Sequence, residues 1–130
     1  YLKTIESLKK LGFNQYEISN FSKPSFESRH NTKYWKLVPY LGLGKSAHSF
    51  WGGKRFYYDT DFKLQSEGEV DLDEEKIMLG LRLNCGVDKR LIKGDYSRFV
   101  KMGLMKEIGN NIALTPNGML VSNVIISELL

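Results

Sequence analysis

Leu2, Ile5, Leu8 and Leu11 recur every third position, the spacing of one helix face, and predict a helix over residues 1–11. Lys9 and Lys10 stand at its C-terminal end, where the helix dipole favours cations, and Gly12 is placed to stop it. In FNQYEISNF the apolar positions Phe13, Tyr16, Ile18 and Phe21 predict a strand and its exit, with imperfect alternation. SKPSFESRHNT has the composition of a loop. Ser28 or Asn31 can then cap a short helix over KYWKLVPY, which Pro39 would end. LGLGKSAHSFWGGKRFYY reads as strand material cut by glycines, with Gly52-Gly53 turning AHSFW back onto KRFYY. The polar stretch DTDFKLQSEGEV reads as a connector.

After residue 70 the pattern turns helical. VDLDEEKIMLGLRL has Asp71 or Asp73 at the N-cap, acids in its first turn, and Ile77 and Leu81 on one face. GVDKRLIKG predicts a short helix closed by Gly94, and DYSRFVKMGL another capped by Asp95. LMKEIGNNIALT predicts two short strands about Asn110-Asn111, a pair that tolerates left-handed backbone angles. Thr115-Pro116 sets an N-cap before a proline at the first helical position and predicts one last helix through Leu130. The order helix, helix, helix, hairpin, helix is that of a winged-helix-like module. The fold class expected is α+β, in two parts, residues 1–70 and 71–130.

Composition narrows the setting. A chain of 130 residues, 42% hydrophobic and 26% charged, has the balance of a folded globular protein. The longest apolar run, VIISELL, is interrupted by Ser127 and Glu128, so no membrane span is expected. The opening YLKTIESLKKLGF has no Met and no signal-peptide pattern. A helix already under way at Tyr1 reads as a segment of a longer protein. Cys85 is the single cysteine, so no internal disulfide and no thiolate cluster can form. A reducing, cytoplasmic location is the simplest reading. The net charge of +4 is uneven: residues 1–70 hold 11 Lys/Arg against 7 Asp/Glu, and residues 71–130 hold 8 against 8.

Of the 16 aromatic residues, 13 lie between Phe13 and Phe62, with both histidines and the excess cations. A flat, apolar, acidic ligand such as a tetrapyrrole with propionate arms would use this mixture: aromatic faces, cations for carboxylates, and imidazole for a metal. Composition alone equally suits an ordinary core of large side chains. On a helix, His30 and Tyr34 share one face, and Asn31 and Trp35 the next. Gly42, Gly44 and Ala47 in LGLGKSAHS leave room for a strand or a flat ligand to lie against the main chain. No G-x-x-x-x-G-K-[ST] loop and no Ser–His–Asp arrangement can be assembled. Asp59 and Asp61 read as surface residues, and Cys85 as a small, partly buried one.

YEISNFSKPSFESRHNTKYW followed by YLGLGKSAHSF resembles the oxygen-independent coproporphyrinogen III oxidase family of radical-SAM proteins. The H-N-x-x-Y-W pattern at His30, Asn31, Tyr34 and Trp35 resembles its haem-chaperone branch. LGLRLNCGVD and LTPNGMLVSNVIISELL resemble the family's C-terminal domain. Two positions depart from the pattern: Lys45 stands where a small residue or proline is expected, and Ser25 where glycine is common. The family carries its C-x-x-x-C-x-x-C cluster motif and most S-adenosylmethionine contacts in an N-terminal partial barrel, which this chain lacks. The resemblance therefore implies the last third of such a protein. Residues 1–70 would be the closing strands and helices of the (β/α) barrel, with a tetrapyrrole-facing segment, and residues 71–130 the winged-helix-like domain.

The resemblance also implies a site. Arg29, His30, Asn31, Tyr34, Trp35 and His48 would bind the tetrapyrrole, with Gly42, Gly44 and Ala47 forming a glycine loop. His30 or His48 would take the haem iron, and Arg29 or Lys33 would meet a propionate. No catalytic residue and no iron–sulfur cysteine is expected in this chain, and no cofactor bound to it alone. The whole protein would carry a 4Fe-4S cluster, S-adenosylmethionine and haem. Its implied function is haem binding and delivery to acceptor proteins, in contact with the N-terminal barrel. The alternative is a true oxidase that decarboxylates coproporphyrinogen III. A third reading, a winged-helix module binding nucleic acid or protein, meets a physical objection for DNA. Phosphate neutralisation drives DNA affinity, and residues 71–130 carry no net charge.

Overall fold

The computed structural model describes residues 1–130 and begins with helix α1 (Leu2–Lys10). Gly12 N–H donates to Lys9 O and Phe13 N–H to Leu8 O, at 3.0 and 2.9 Å, the paired closure of a Schellman motif. Where the apolar pattern predicts one strand and its exit, two short strands form instead. β1 (Asn14–Gln15) and β2 (Phe21–Ser22) pair antiparallel. The residues between them are drawn onto the second half of the chain. Ile18 N–H donates to Arg82 O at 2.8 Å, and Asn84 N–H to Tyr16 O at 3.2 Å.

Helix α2 (Arg29–Trp35) starts and stops earlier than the sequence suggests. Ser28, not Asn31, is its cap: the Ser28 hydroxyl accepts Asn31 N–H at 3.2 Å. The helix ends before Pro39 can end it, because Leu37 takes a left-handed conformation at φ +52°. Leu37 N–H donates to Tyr34 O and Val38 N–H to Lys33 O, which is again a Schellman closure.

The expected hairpin forms between β3 (His48–Trp51) and β4 (Lys54–Tyr58), around Gly52 and Gly53 at φ +59° and +74°. Two positive φ values in a two-residue loop are what a type I′ turn requires. The polar stretch expected to connect is a third strand, β5 (Leu64–Glu69), giving the order β3-β4-β5. It is a sheet edge with five of its six residues exposed, so it carries no alternating apolar signal.

Helix α3 (Leu72–Gly80) starts where the sequence places it, with Asp71 accepting the N–H groups of Asp73 and Glu74. GVDKRLIKG is not a helix. Val87 is buried and pairs with Ile112, making strand β6 (Val87–Asp88), and only a 3₁₀ turn follows at Lys89–Leu91. After α4 (Ser97–Lys101), β7 (Met105–Ile108) and β8 (Asn111–Leu114) complete a second sheet in the order β6-β8-β7. Their turn is Gly109-Asn110, one residue earlier than predicted, because Asn111 already pairs with Ile108. Thr115 caps α5 (Pro116–Leu120) by accepting Gly118 N–H at 3.1 Å. The predicted single last helix is broken at Val121, whose φ of −120° and ψ of 24° separate α5 from α6 (Ser122–Leu129).

The core is one-sided. Eleven buried apolar residues form one cluster that runs from Ile77 to Leu129. Before residue 71, Phe50 is the single buried apolar side chain, and Leu43 is 92% exposed. The aromatic-rich segment is therefore not a core of its own. It drapes over the helical half and is pinned by the Tyr16–Ile18 contacts and by Arg55, which meets Glu75 of α3 at 2.8 Å. No helix is long and apolar enough to cross a membrane.

Candidate functional site

Helix α2 presents the H-N-x-x-Y-W residues on two faces. Four residues make a little over one turn, which stacks His30 against Tyr34. The Tyr34 hydroxyl lies 2.9 Å from His30 Nε2, with the rings edge to face at 4.9 Å. Tyr34 then meets Tyr40 edge to face at 4.6 Å. Tyr40 bridges to Phe50 through two main-chain hydrogen bonds of 2.8 and 2.9 Å. Trp35, on the inner side of α2, lies under the Arg82 guanidinium at 5.9 Å. Tyr34, Trp35, Leu37, Tyr40, Phe50 and Arg55 line an aromatic cavity of about 240 Å³ between α2 and the β3-β4-β5 sheet. Leu37 helps to line this cavity, so its left-handed backbone serves to place an apolar side chain there. The Arg55 guanidinium lies over Phe50 at 5.5 Å, and its hydrogen bond to the Glu75 carboxylate raises its pKa above the usual value.

His48 stands apart from His30, on β3. Its Nδ1 lies 3.2 Å from a Glu67 carboxylate oxygen, and its ring lies 4.9 Å from that of Tyr57. A register shift lets Glu67 reach it: Arg55 pairs with Gly68 and Phe56 with Ser66, so Glu67 is the extra residue of a bulge. A carboxylate on one imidazole nitrogen fixes the ring and leaves the other free, the arrangement that commonly supports a metal-binding histidine. The two candidate iron ligands thus occupy separate elements with separate partners.

The glycine loop packs on itself. A Cβ on Gly42 would fall 2.3 Å from His48 O, and Gly42 N–H donates to Ser49 Oγ at 2.9 Å. The group lying against this glycine is the Ala47–His48 main chain. Gly44 has open space around its Cα, and the Lys45 ammonium sits 5.0 Å over the Phe62 ring. Ser25 adopts φ +70°, a conformation that glycine takes without strain.

On the other flank of α2 a groove of about 520 Å³ runs between the helix and the Leu83–Cys85 turn. Arg29, Lys33 and Lys36 line one side, and Tyr16, Asn84 and Cys85 the other. Cys85 is exposed rather than partly buried, because the turn carries it out toward this groove. Its carbonyl accepts from the Asn111 side chain at 3.1 Å, and the Asn84 side chain donates to Gln15 O at 2.9 Å. Sequence reasoning missed Tyr16, Lys36, Asn84, Cys85 and Glu67 as members of any site. Lys36 had a signal, since positions 29, 33 and 36 fall on one helical stripe. The others are joined to α2 or β3 through contacts distant in sequence, which no local pattern records.

Glu17 was also missed. It is wholly buried; its Oε2 accepts Ser19 N–H at 3.1 Å, and its Oε1 has no partner. Asp59 is structural: it accepts the N–H groups of Lys63 and Asp61 and the Gln65 side chain. The Lys63 N–H leads in lowering its pKa. Arg98 of α4 is paired with Glu128 and lies 4.6 Å over Phe99.

No protein-family model matches the chain. It is 32% identical to the heme chaperone HemW of Bacillus subtilis over 146 aligned positions, 92% of this chain and 38% of that protein. It is 39% identical to the heme chaperone HemW of Synechocystis over 99 positions, 63% of this chain and 24% of that protein. The chain belongs to the family of oxygen-independent coproporphyrinogen III oxidases and haem chaperones. It spans well under half the length of the curated relatives it matches. Its fold is that of a solved family structure, coproporphyrinogen III oxidase (HemN) from Escherichia coli, described as a radical SAM enzyme. The TM-score is 0.64 at 17% identity, over 98% of this chain and 39% of the oxidase. An iron–sulfur cluster does not fit the residues present. The chain has one cysteine, and no three His, Cys, Asp or Glu side chains gather where they could hold a metal ion.

Proposed function

We propose that the chain is the haem-binding part of a haem chaperone, a protein that holds haem and passes it to acceptor proteins. One observation carries this reading: of the 13 aromatic residues between Phe13 and Phe62, five are exposed, seven are half-buried and Phe50 alone is buried. Apolar faces left open beside cations and imidazoles suit a flat ligand with an apolar ring and acidic arms. The names of the matched relatives point the same way. His30 is the first candidate for the iron, since it stands on α2 beside the cations Arg29 and Lys33. His48, oriented by Glu67, is the second. Tyr34 and Trp35 offer ring faces and Asn31 a polar contact; in the glycine loop Gly44 leaves open space, while Gly42 is covered by Ala47 and His48. The oxidase alternative finds less support in the matched relatives, which are named heme chaperones.

The division of labour within the chain follows the same reading. Residues 1–70 act as the closing end of a partial barrel, with the tetrapyrrole-facing surface. Residues 71–130 act as a winged-helix-like packing domain. The chain order α3, β6, α4, β7, β8, with β6 paired to β8, supports the second assignment. DNA binding is disfavoured, since Arg98 is already engaged by Glu128. A reducing cytoplasmic location fits the single exposed thiol.

The test is a haem titration of the intact chain by absorbance, beside His30→Ala and His48→Ala. Saturable binding with a shifted Soret band is expected. Loss of that band position in His30→Ala alone assigns the iron to His30, and in His48→Ala alone to His48. A folded chain that gives no saturable shift would falsify the haem reading.

A further inference from the structure

The geometry points to the Tyr34 hydroxyl as a built-in competitor with haem iron for His30. This rests on the haem reading and adds how uptake and release are regulated at α2. The two nitrogens of an imidazole are not equivalent. Nδ1 neighbours Cβ, so a flat macrocycle docked on it runs into the residue's own main chain. Nε2 stands at the far end of the ring, within reach of such a ligand. In His30 that atom is already engaged, with the Tyr34 hydroxyl 2.9 Å away. Either partner can donate the proton, and in both cases the bond uses Nε2. His48 shows the reverse arrangement: Glu67 lies 3.2 Å from its Nδ1, on the other side of the ring from Nε2.

The surroundings hold the hydroxyl in place without sealing it in. His30 and Tyr34 stand one turn apart on α2. The Tyr34 ring is packed edge to face on Tyr40 at 4.6 Å, and Tyr40 is fixed by its two main-chain bonds to the buried Phe50. His30 itself is exposed, and Tyr34 is 37% exposed. A displaced hydroxyl therefore turns to water and keeps a hydrogen-bond partner, which a buried one would lose. In the exchange iron takes the Nε2 lone pair, the neutral ring carries its proton on Nδ1, and the phenol keeps its own proton. When iron leaves, the hydroxyl reclaims Nε2. Competition of this kind lowers the share of His30 that is ready to bind, and with it the apparent affinity. A carrier that must pass its cargo on is served by that, because recapture is slowed. Tyr34 thus acts in two opposed ways: its ring steadies the imidazole, and its hydroxyl weakens iron binding.

Tyr34→Phe tests it in the intact chain, since it deletes the hydroxyl and keeps the ring. A hydrogen bond of ordinary net strength corresponds to about a 5-fold change in an equilibrium constant. Tyr34→Phe should therefore bind haem about 3- to 5-fold more tightly than wild type by absorbance titration. A double-mutant cycle isolates the path: in a His30→Ala background the same substitution should leave the affinity unaltered. A second readout needs no haem. Diethyl pyrocarbonate should modify His30 faster in Tyr34→Phe than in wild type, followed by mass spectrometry with His48 as the internal reference. Haem binding that is unchanged or weaker in Tyr34→Phe overturns the competition and leaves the haem reading standing. So does an equal gain in the His30→Ala background, or an equal rate of His30 modification in the two haem-free proteins. No saturable Soret shift in folded wild type overturns the haem reading and this inference with it.

Discussion

Replacing Gly86 with alanine probes the wall of the groove through the backbone that carries it. Gly86 has φ +64°, and a Cβ there would lie 2.0 Å from Ile112 O, 2.6 Å from Ile112 C and 2.7 Å from Ala113 Cα. Ordinary carbon contacts are about 3.5 Å or longer, so β8 would have to retreat by more than ~1 Å. All three atoms are main chain, and none can rotate away. The retreat would loosen the Val87–Ile112 pair and open a gap beside Ile112, which is fully buried. Left-handed strain alone costs about 1–2 kcal/mol, and the overpacking adds about 1–3 kcal/mol. Gly109 is the control, at φ +58° with no atom within 4 Å of its built Cβ. Gly109→Ala should therefore show the strain alone. Urea unfolding separates the two: at a slope of about 2 kcal/mol/M, Gly86→Ala should lower the midpoint by ~1–2.5 M and Gly109→Ala by ~0.5–1 M. Equal shifts in the two variants would refute the close-packing argument.

Two further outcomes are expected. Ser28→Ala removes the cap of α2, worth about 1 kcal/mol; amide exchange at Asn31 should quicken, and haem affinity should fall by up to ~5-fold. Unchanged exchange at Asn31 would show that the cap is not used in solution. Asp88 is held down to about 2 from an ordinary 3.8, chiefly by the Arg90 guanidinium and next by the Arg90 N–H. Its folded value lies below its unfolded one, so its contribution to stability is complete above that ordinary value. The contribution is lost as pH falls through the window down to about 2. Across that window the wild-type urea midpoint should fall more steeply than that of Asp88→Asn, and parallel curves would count against the pair.

What could be read from the sequence was what is decided locally. The Asp71 cap, the Thr115-Pro116 start and the Gly52-Gly53 turn each need only neighbours, and each stands where the pattern put it. The His30–Tyr34 pair was equally legible, because it follows from helical spacing alone. Val87 was not: it becomes a strand residue only because Ile112, far along the chain, offers it a partner. β5 was hidden because an edge strand facing water needs no apolar alternation. The aromatic segment also suited a core on composition alone, and composition gave no sign that Phe50 would be its one buried ring. The groove was legible on its α2 side, in the spacing of Arg29 and Lys33. Its second wall depends on the Tyr16–Asn84 contact, which joins residues distant in sequence.

The one-sided core has a consequence for how such a protein can change over generations. Residues that keep it folded run from Ile77 to Leu129, while the side chains facing the groove and the histidines are mostly exposed. Exposed substitutions usually shift stability by no more than about 0.5 kcal/mol. The helix proposed to meet the ligand can therefore be rewritten, one cation or one ring at a time, with little risk to the fold. Phe50 is the exception, since it is buried and also lines the cavity beside α2. A lineage could retune the exposed surface of α2 while inheriting the same helical half.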